Sequence, residues 1–352
     1  METALIKTLI PALLAFTAGI AITPLIAHYL YTLKVWKKRG GKTTLYGSTA
    51  EEFNRLKGDG EVRTPRMGGL VIVAAVILTI GALTVLTTLF SGGVWDTLYF
   101  LSRAQTWIPL AVFFLGAFVG FLNDFYDVTH DGSGLRLSVR LIFIALLSGL
   151  IGWWFYDKLG VTGINLPGGG VGELGVLIIP FFMLMSFALY ASGVIDGIDG
   201  LSGGVFSSIF TAYAAIAFLG QQYDLAAFCA MLAGATMAFL WFNIPPARFW
   251  MTETGSMALT LTLAVVVFMT DTLGDGYGIS LFAIVGLPLI ATVASNVMQM
   301  TMRKLTGRKF FRIAPLHHHF EAIGWPSHKV TMRYWLISMV CALLGVIVSV
   351  LL

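Results

Sequence analysis

The sequence predicts an all-α polytopic membrane protein of about ten transmembrane helices with both termini outside. Three observations predict it. Hydrophobic residues fill 57% of the 352 positions and charged residues only 11%, too little polar surface for a water-soluble globule of this length. Apolar runs of about 17 to 25 residues, the length that crosses a hydrocarbon core, recur along the whole chain. Lysine and arginine fall overwhelmingly in alternate gaps between those runs.

The expected spans have cores near 9–31, 69–90, 107–122, 139–156, 174–192, 203–219, 225–242, 256–270, 279–300 and 334–352. The first is too long and too weakly flanked for a cleavable signal peptide and is read as retained. Of the 22 basic residues, 19 lie at the gaps after the odd-numbered spans; only Lys7, Arg103 and Lys158 lie on the other side. The positive-inside rule makes the basic side cytoplasmic. With 11 of the 18 acids there as well, the cytoplasmic face stays net positive and attracts an anionic cytosolic substrate. Cys229 and Cys341 sit inside spans without metal-ligand spacing and read as small hydrophobes. Residues 1–352 show no repeat and read as one domain. The outer segment from Gly163 to Gly175 is either a small hairpin or a flexible connector.

The groups able to do chemistry collect on the basic side. The third span ends in GFLNDFYD, which puts Asn123, Asp124 and Asp127 at the cytoplasmic mouth, where they either line a wet cavity or end the span in solvent. On a continuing helix Asp124 and Asp127 share a face. The fifth span runs into DGIDGLSGG, with Asp196 and Asp199 flanked by glycines that let backbone approach a ligand, or that simply make a turn. After the seventh span, WFNIPPARFWMTETGS gathers Asn243, Arg248, Trp250 and Glu253. Glu253 either holds a cation beside phosphate groups or is an acid favoured by a helix N-terminus. TPRMGG, with Arg66, opens the second span and suits a close helix entry with a phosphate contact. The last cytoplasmic loop carries five basic residues from Arg303 to Arg312 and then His317, His318 and His319. Three adjacent histidines do not point one way on a regular element, so a three-histidine metal site is not expected; one or two of them bind phosphate or serve structure.

Together these segments resemble the phospho-N-acetylmuramoyl-pentapeptide transferases, within the polyprenyl-phosphate N-acetylhexosamine-1-phosphate transferase superfamily. The resemblance rests on the ten spans, TPRMGG, GFLND, DGIDGL, ETGSMAL and, most specifically, APLHHHFEAIGW followed by RYWLIS. It implies transfer of a phospho-muramoyl-pentapeptide from its UDP carrier to undecaprenyl phosphate, giving lipid I and UMP, with Mg²⁺ as cofactor. It places the enzyme in the bacterial cytoplasmic membrane with its site facing the cytoplasm, among membrane lipids, as a homodimer and without a nucleic-acid partner. By matching positions it implies catalytic roles for Asp124, Asp196, Asp199, His317 and His318, and metal binding by Glu253. Substrate contacts are implied for Asn123, Arg66, Arg140, Gly197, Ile198, Asn243, Trp250 and His319, with Trp250 stacking on uracil and Gly197, Ile198 and Asp199 completing a uridine pocket.

The chain departs from the family pattern where chemistry is expected. Asn123–Asp124 stands where the family usually has Asp-Asp, and Asp127 where a lysine commonly follows. Tyr190 and Gly193 replace asparagines, Glu253 replaces the metal-binding aspartate, and Arg140 replaces another basic residue. An asparagine cannot be a general base, which leaves Asp124 as the local candidate. A phosphate monoester, with a second pKa of about 6, is already largely dianionic at neutral pH, so a base is dispensable. Two other readings compete: transfer of a GlcNAc-1-phosphate-like group to a polyprenyl phosphate, and a non-catalytic lipid-phosphate binding or transport protein. Transporters tend to carry inverted repeats and midplane charges, whereas here the acids cluster at one face.

Overall fold

The computed structural model describes residues 1–37, 64–90, 92, 94–130 and 134–352. Most of the basic loop after the first span lies outside the described residues. The chain starts with α1 (Glu2–Thr32), followed by α2 (Gly69–Leu89), a short α3 (Val94–Leu98), α4 (Trp107–Thr129) and α5 (Leu137–Asp157). The segment after α5 is a hairpin: β1 (Gly163–Asn165) pairs antiparallel with β2 (Val171–Glu173), Ile164 opposite Gly172. Then come α6 (Ile178–Ser192), α7 (Leu201–Leu219), α8 (Tyr223–Asn243) and α9 (Thr252–Met269). The chain closes with α10 (Gly278–Val285), α11 (Leu287–Thr306), a short α12 (Leu316–Ala322) and α13 (Ser327–Leu351).

Among the described residues nine helices are long and apolar enough to cross a membrane, and α10 with α11 make a pair bent by 73°, a broken tenth span or a re-entrant segment. The expected ninth span is therefore broken rather than straight. The cause is local: Gly286 separates the two helices and Pro288 opens α11. Proline has no N–H for the helix ladder and its ring collides with the carbonyl four residues back, so the upstream helix ends there.

The bundle is layered around α9. In its apolar window 94% of residues are buried, against 22% for α1, α5 and α13, whose exposed leucines, valines and isoleucines face outward as lipid-facing residues should. Lipid tails supply no hydrophobic drive for helices to associate, so close packing comes from small residues. Gly116 and Gly120, one helical turn apart on α4, provide it. A Cβ at Gly116 would lie 3.0 Å from the Met257 carbonyl oxygen, and one at Gly120 would overlap the Glu253 carbonyl. Gly69 meets Gly255 backbone to backbone in the same way. These contacts draw the end of α4 and the start of α2 onto the first turn of α9.

Candidate active site

The glycine contacts decide what surrounds the start of α9. Asp124 leaves α4 fully buried and accepts from the N–H of Thr254 (2.8 Å) and of Glu253 (3.2 Å), and from the hydroxyls of Thr252 (2.6 Å) and Thr254 (2.5 Å). It caps a helix that is not its own, and the positive end of that helix favours the carboxylate. Asp196, in the turn after α6, accepts from the Thr252 N–H (2.8 Å) and the Ser202 hydroxyl (2.6 Å). Three motifs distant in sequence thus share one helix start.

Asp199 lies two residues before the start of α7 and accepts from the Trp250 indole N–H (3.1 Å) and the Ala247 N–H (3.1 Å). Its own carbonyl accepts from the Thr331 hydroxyl at 3.0 Å, and the next carbonyl, of Gly200, accepts from the Trp335 indole at 2.9 Å. Gly200 sits at φ +76°, a conformation glycine takes without penalty. Asn243 is buried and spent on backbone: its oxygen accepts from the Gly200 N–H (2.9 Å) and its amide donates to the Phe249 carbonyl (2.8 Å). In the structure it braces two loops against each other.

The histidine helix closes the group. His317 and His318 are buried with ring centres 4.4 Å apart, and a Cβ at Gly197 would stand 2.7 Å from the Nε2 of each. Gly197 is thus the space these two rings use. Glu321 orients His318 through Nδ1 at 2.7 Å and is itself held by the Ser327 hydroxyl. His319 points elsewhere, its ring edge-on to Phe311 and its Nδ1 accepting from the Arg312 N–H. The triplet therefore splits two to one, consistent with successive helix positions fanning around the axis so that all three cannot point one way.

Charge pairs finish the lining. Arg140 donates to Glu253 at 2.6 Å, and Arg66 pairs with Asp127 at 3.0 Å. Asp124 and Asp127 leave α4 toward different partners. The Arg140 Nε is buried with no hydrogen-bond partner among the described residues, a donor suited to an anion. Asn123 accepts from the Leu135 N–H at 3.0 Å and fixes the start of the next helix. Ile198 is buried while Trp250 and Glu253 are half-buried.

Among the described residues no three His, Cys, Asp or Glu side chains could together hold a metal ion. The oxygen donors still fit Mg²⁺, which keeps water and is usually bound by one or two carboxylates together with substrate phosphates rather than by an all-protein cage. Glu253 and Asp196, on either side of Thr252, are the carboxylates suited to that task.

Sequence reasoning passed over Thr252, Thr254, Ser202, Thr331 and Trp335. Trp335 belongs to the quoted RYWLIS motif, which carried no role, and Thr331 lies just before it; Ser202 reaches Asp196 within its own segment, while Thr252 and Thr254 reach Asp124 in a different motif. The glycosyl transferase family 4 model matches residues 106–271, the stretch from α4 through the end of α9. The phospho-N-acetylmuramoyl-pentapeptide-transferase of Geobacillus sp. (strain WCH70) is 31% identical over 343 residues, covering 96% of each chain. That of Clostridium beijerinckii is 32% identical over 349 residues, covering 96% of this chain and 95% of its own. That of Anoxybacillus flavithermus is 31% identical over 341 residues, again with 96% of both chains covered. At that identity over nearly its whole length, with the matched model lying across the helices that gather the carboxylates, the chain belongs to the phospho-N-acetylmuramoyl-pentapeptide-transferase family.

Proposed function

We propose that the protein transfers phospho-N-acetylmuramoyl-pentapeptide from its UDP carrier to undecaprenyl phosphate at the cytoplasmic face of the bacterial cytoplasmic membrane, releasing UMP and forming lipid I. The observation that carries this reading is the contact of Gly197 with His317 and His318. It packs the segment that distinguishes a muramoyl-peptide donor onto the aspartate turn common to the wider superfamily.

In the reaction an oxygen of the lipid phosphate bonds to the β-phosphorus of the donor while the bridging bond to the α-phosphate breaks, and UMP leaves with the electron pair. The attacking phosphate is already ionised near neutral pH, so positioning and charge neutralisation do most of what is needed. Arg140 and Arg66 balance phosphate charge, and His317 and His318 donate to it. Trp250 stacks on uracil beside Gly197, Ile198 and Asp199. Asp124 and Asp196 hold the start of α9 in register, and Asn123, Asn243 and His319 act through the loops they brace. Mg²⁺, when bound, offsets charge on the pyrophosphate, with Glu253 and Asp196 as its protein ligands. Residues 1–352 act as one domain in this reading, and a homodimer, implied by the resemblance, is tested by the mass of the detergent-solubilised protein.

The deciding experiment is UMP release by purified protein given UDP-MurNAc-pentapeptide, undecaprenyl phosphate and Mg²⁺, with UDP-GlcNAc in a parallel reaction. Release with the muramoyl donor alone is expected. Release with UDP-GlcNAc alone would move the protein to the other branch of the superfamily, and silence with both in folded protein would remove the transferase reading.

A further inference from the structure

Thr252 has a backbone φ of +54°. For a β-branched residue the left-handed region is a true outlier, held only where the surroundings over-determine it. It meets a second one: Met67, at φ +64°, donates its N–H to the Thr252 hydroxyl at 3.0 Å. The same hydroxyl donates to Asp124 at 2.6 Å, and the Thr252 N–H goes to Asp196 at 2.8 Å. Met251 before it is right-handed, and a right-handed residue followed by a left-handed one turns successive N–H groups into an anion-binding nest. Here the N–H groups of residues 252, 253 and 254 are divided between the two carboxylates.

We propose that Thr252 is a positioning residue for the transfer reaction: its left-handed backbone and bridging hydroxyl lock Asp124, Asp196 and the TPRMGG entry to the first turn of α9. Glycine at this position would keep the left-handed turn without strain but would lack the hydroxyl. A serine would keep the hydroxyl. The two functions of the residue are therefore separable by substitution.

The kinetic arm of the test rests on the transferase reading; a second arm does not. Thr252→Gly, Thr252→Ser and Thr252→Val are compared for kcat, donor KM and thermal midpoint in detergent. Thr252→Gly is expected to melt no lower than the parent yet to lose about tenfold to a hundredfold in kcat, the span for losing a hydrogen bond to a charged group. Its KM should hold, and Thr252→Ser should recover most of the rate. Parental kcat in Thr252→Gly, or a Thr252→Ser as slow as Thr252→Val, overturns the proposal. In the second arm, carbodiimide labelling of Asp124 in substrate-free protein is followed by mass spectrometry. Faster labelling in the Gly and Val variants, with parental protection in Ser, is expected, and equal labelling in all four proteins overturns the proposal. Labelling that follows the hydroxyl while the parent releases no UMP would sink the transferase reading and leave the positioning role standing.

Discussion

At the Thr252 end of α9, carboxylates arrive from α4, from the turn after α6 and from α9 itself, with Arg140 and Arg66 among them. At the Met269 end there is, among the described residues, one buried acid, Asp271, and its partners are backbone: the N–H of Asn165 in the hairpin at 2.8 Å and the N–H of Ile279 at 3.0 Å. Around it Asn165 donates to the Gly276 carbonyl and Tyr213 to the Gly278 carbonyl. Both ends bury polar groups, but only one concentrates several charges within reach of each other. A lone carboxylate satisfied by backbone fixes a loop. Several carboxylates sharing one helix start with ion-paired arginines form a place where an anionic substrate and a cation can enter by exchanging partners.

The contrast is open to attack from both ends. Glu253→Gln should lower kcat by about 10² to 10³, the usual loss when an electrostatic group at a reacting centre is removed, and Asp199→Asn, which loosens the Trp250 indole, should raise the donor KM and lower UMP release, each with the fold intact by circular dichroism. Parental UMP release in both would dissolve the distinction between the ends. Gly120→Ala should destabilise the protein by about 1–3 kcal/mol through overpacking and also slow turnover, because the added methyl pushes α4 away from the first turn of α9. A variant with an unchanged melting curve would show that this helix contact does not set the site. His318→Ala should cost about tenfold in turnover, one hydrogen bond to a charged group, and a parental rate would reduce the histidines to packing.

The smallest effect belongs to the other end. Asp271→Asn should leave UMP release unchanged and cost about 1–2 kcal/mol, because an amide cannot accept from both N–H groups. Burial raises the Asp271 carboxyl above its ordinary value of 3.8, while the N–H groups of Asn165, Ile279 and Thr272 pull it down. A group raised in the folded state contributes stability that is fully present below its unfolded pKa and is lost as pH rises through the folded one. The midpoint of the parent relative to Asp271→Asn should therefore fall as pH climbs from 3.8 and flatten once the carboxyl is ionised. A difference that rises over that range would show the N–H donors outweighing burial.

Much of this was legible in the residues. The helices followed from apolar run length, the alternation between turn residues allowed a hairpin and a connector alike, and helical geometry required only that the three histidines not point one way. The bend in the ninth span was written in Gly286 and Pro288 but hidden by the continuous apolar character on both sides. The loop-bracing bonds of Asn243 and Asn123 were not legible, because a polar residue at a helix end reads the same whether it meets a substrate or a loop. Thr252 carried no signal at all, since a backbone dihedral has no letter in the sequence.

What the sequence determined by itself was the membrane class, the spans and the families of residues able to act on phosphate, because hydrophobic length and charge are local and additive. Only the tertiary structure decided which groups share a site. That depended on glycines at 69, 116 and 120 letting two helices, α2 and α4, approach α9, and on which carboxylate each N–H of its first turn then found. Such choices are set by distances between segments from 56 to 130 residues apart, to which no local pattern responds.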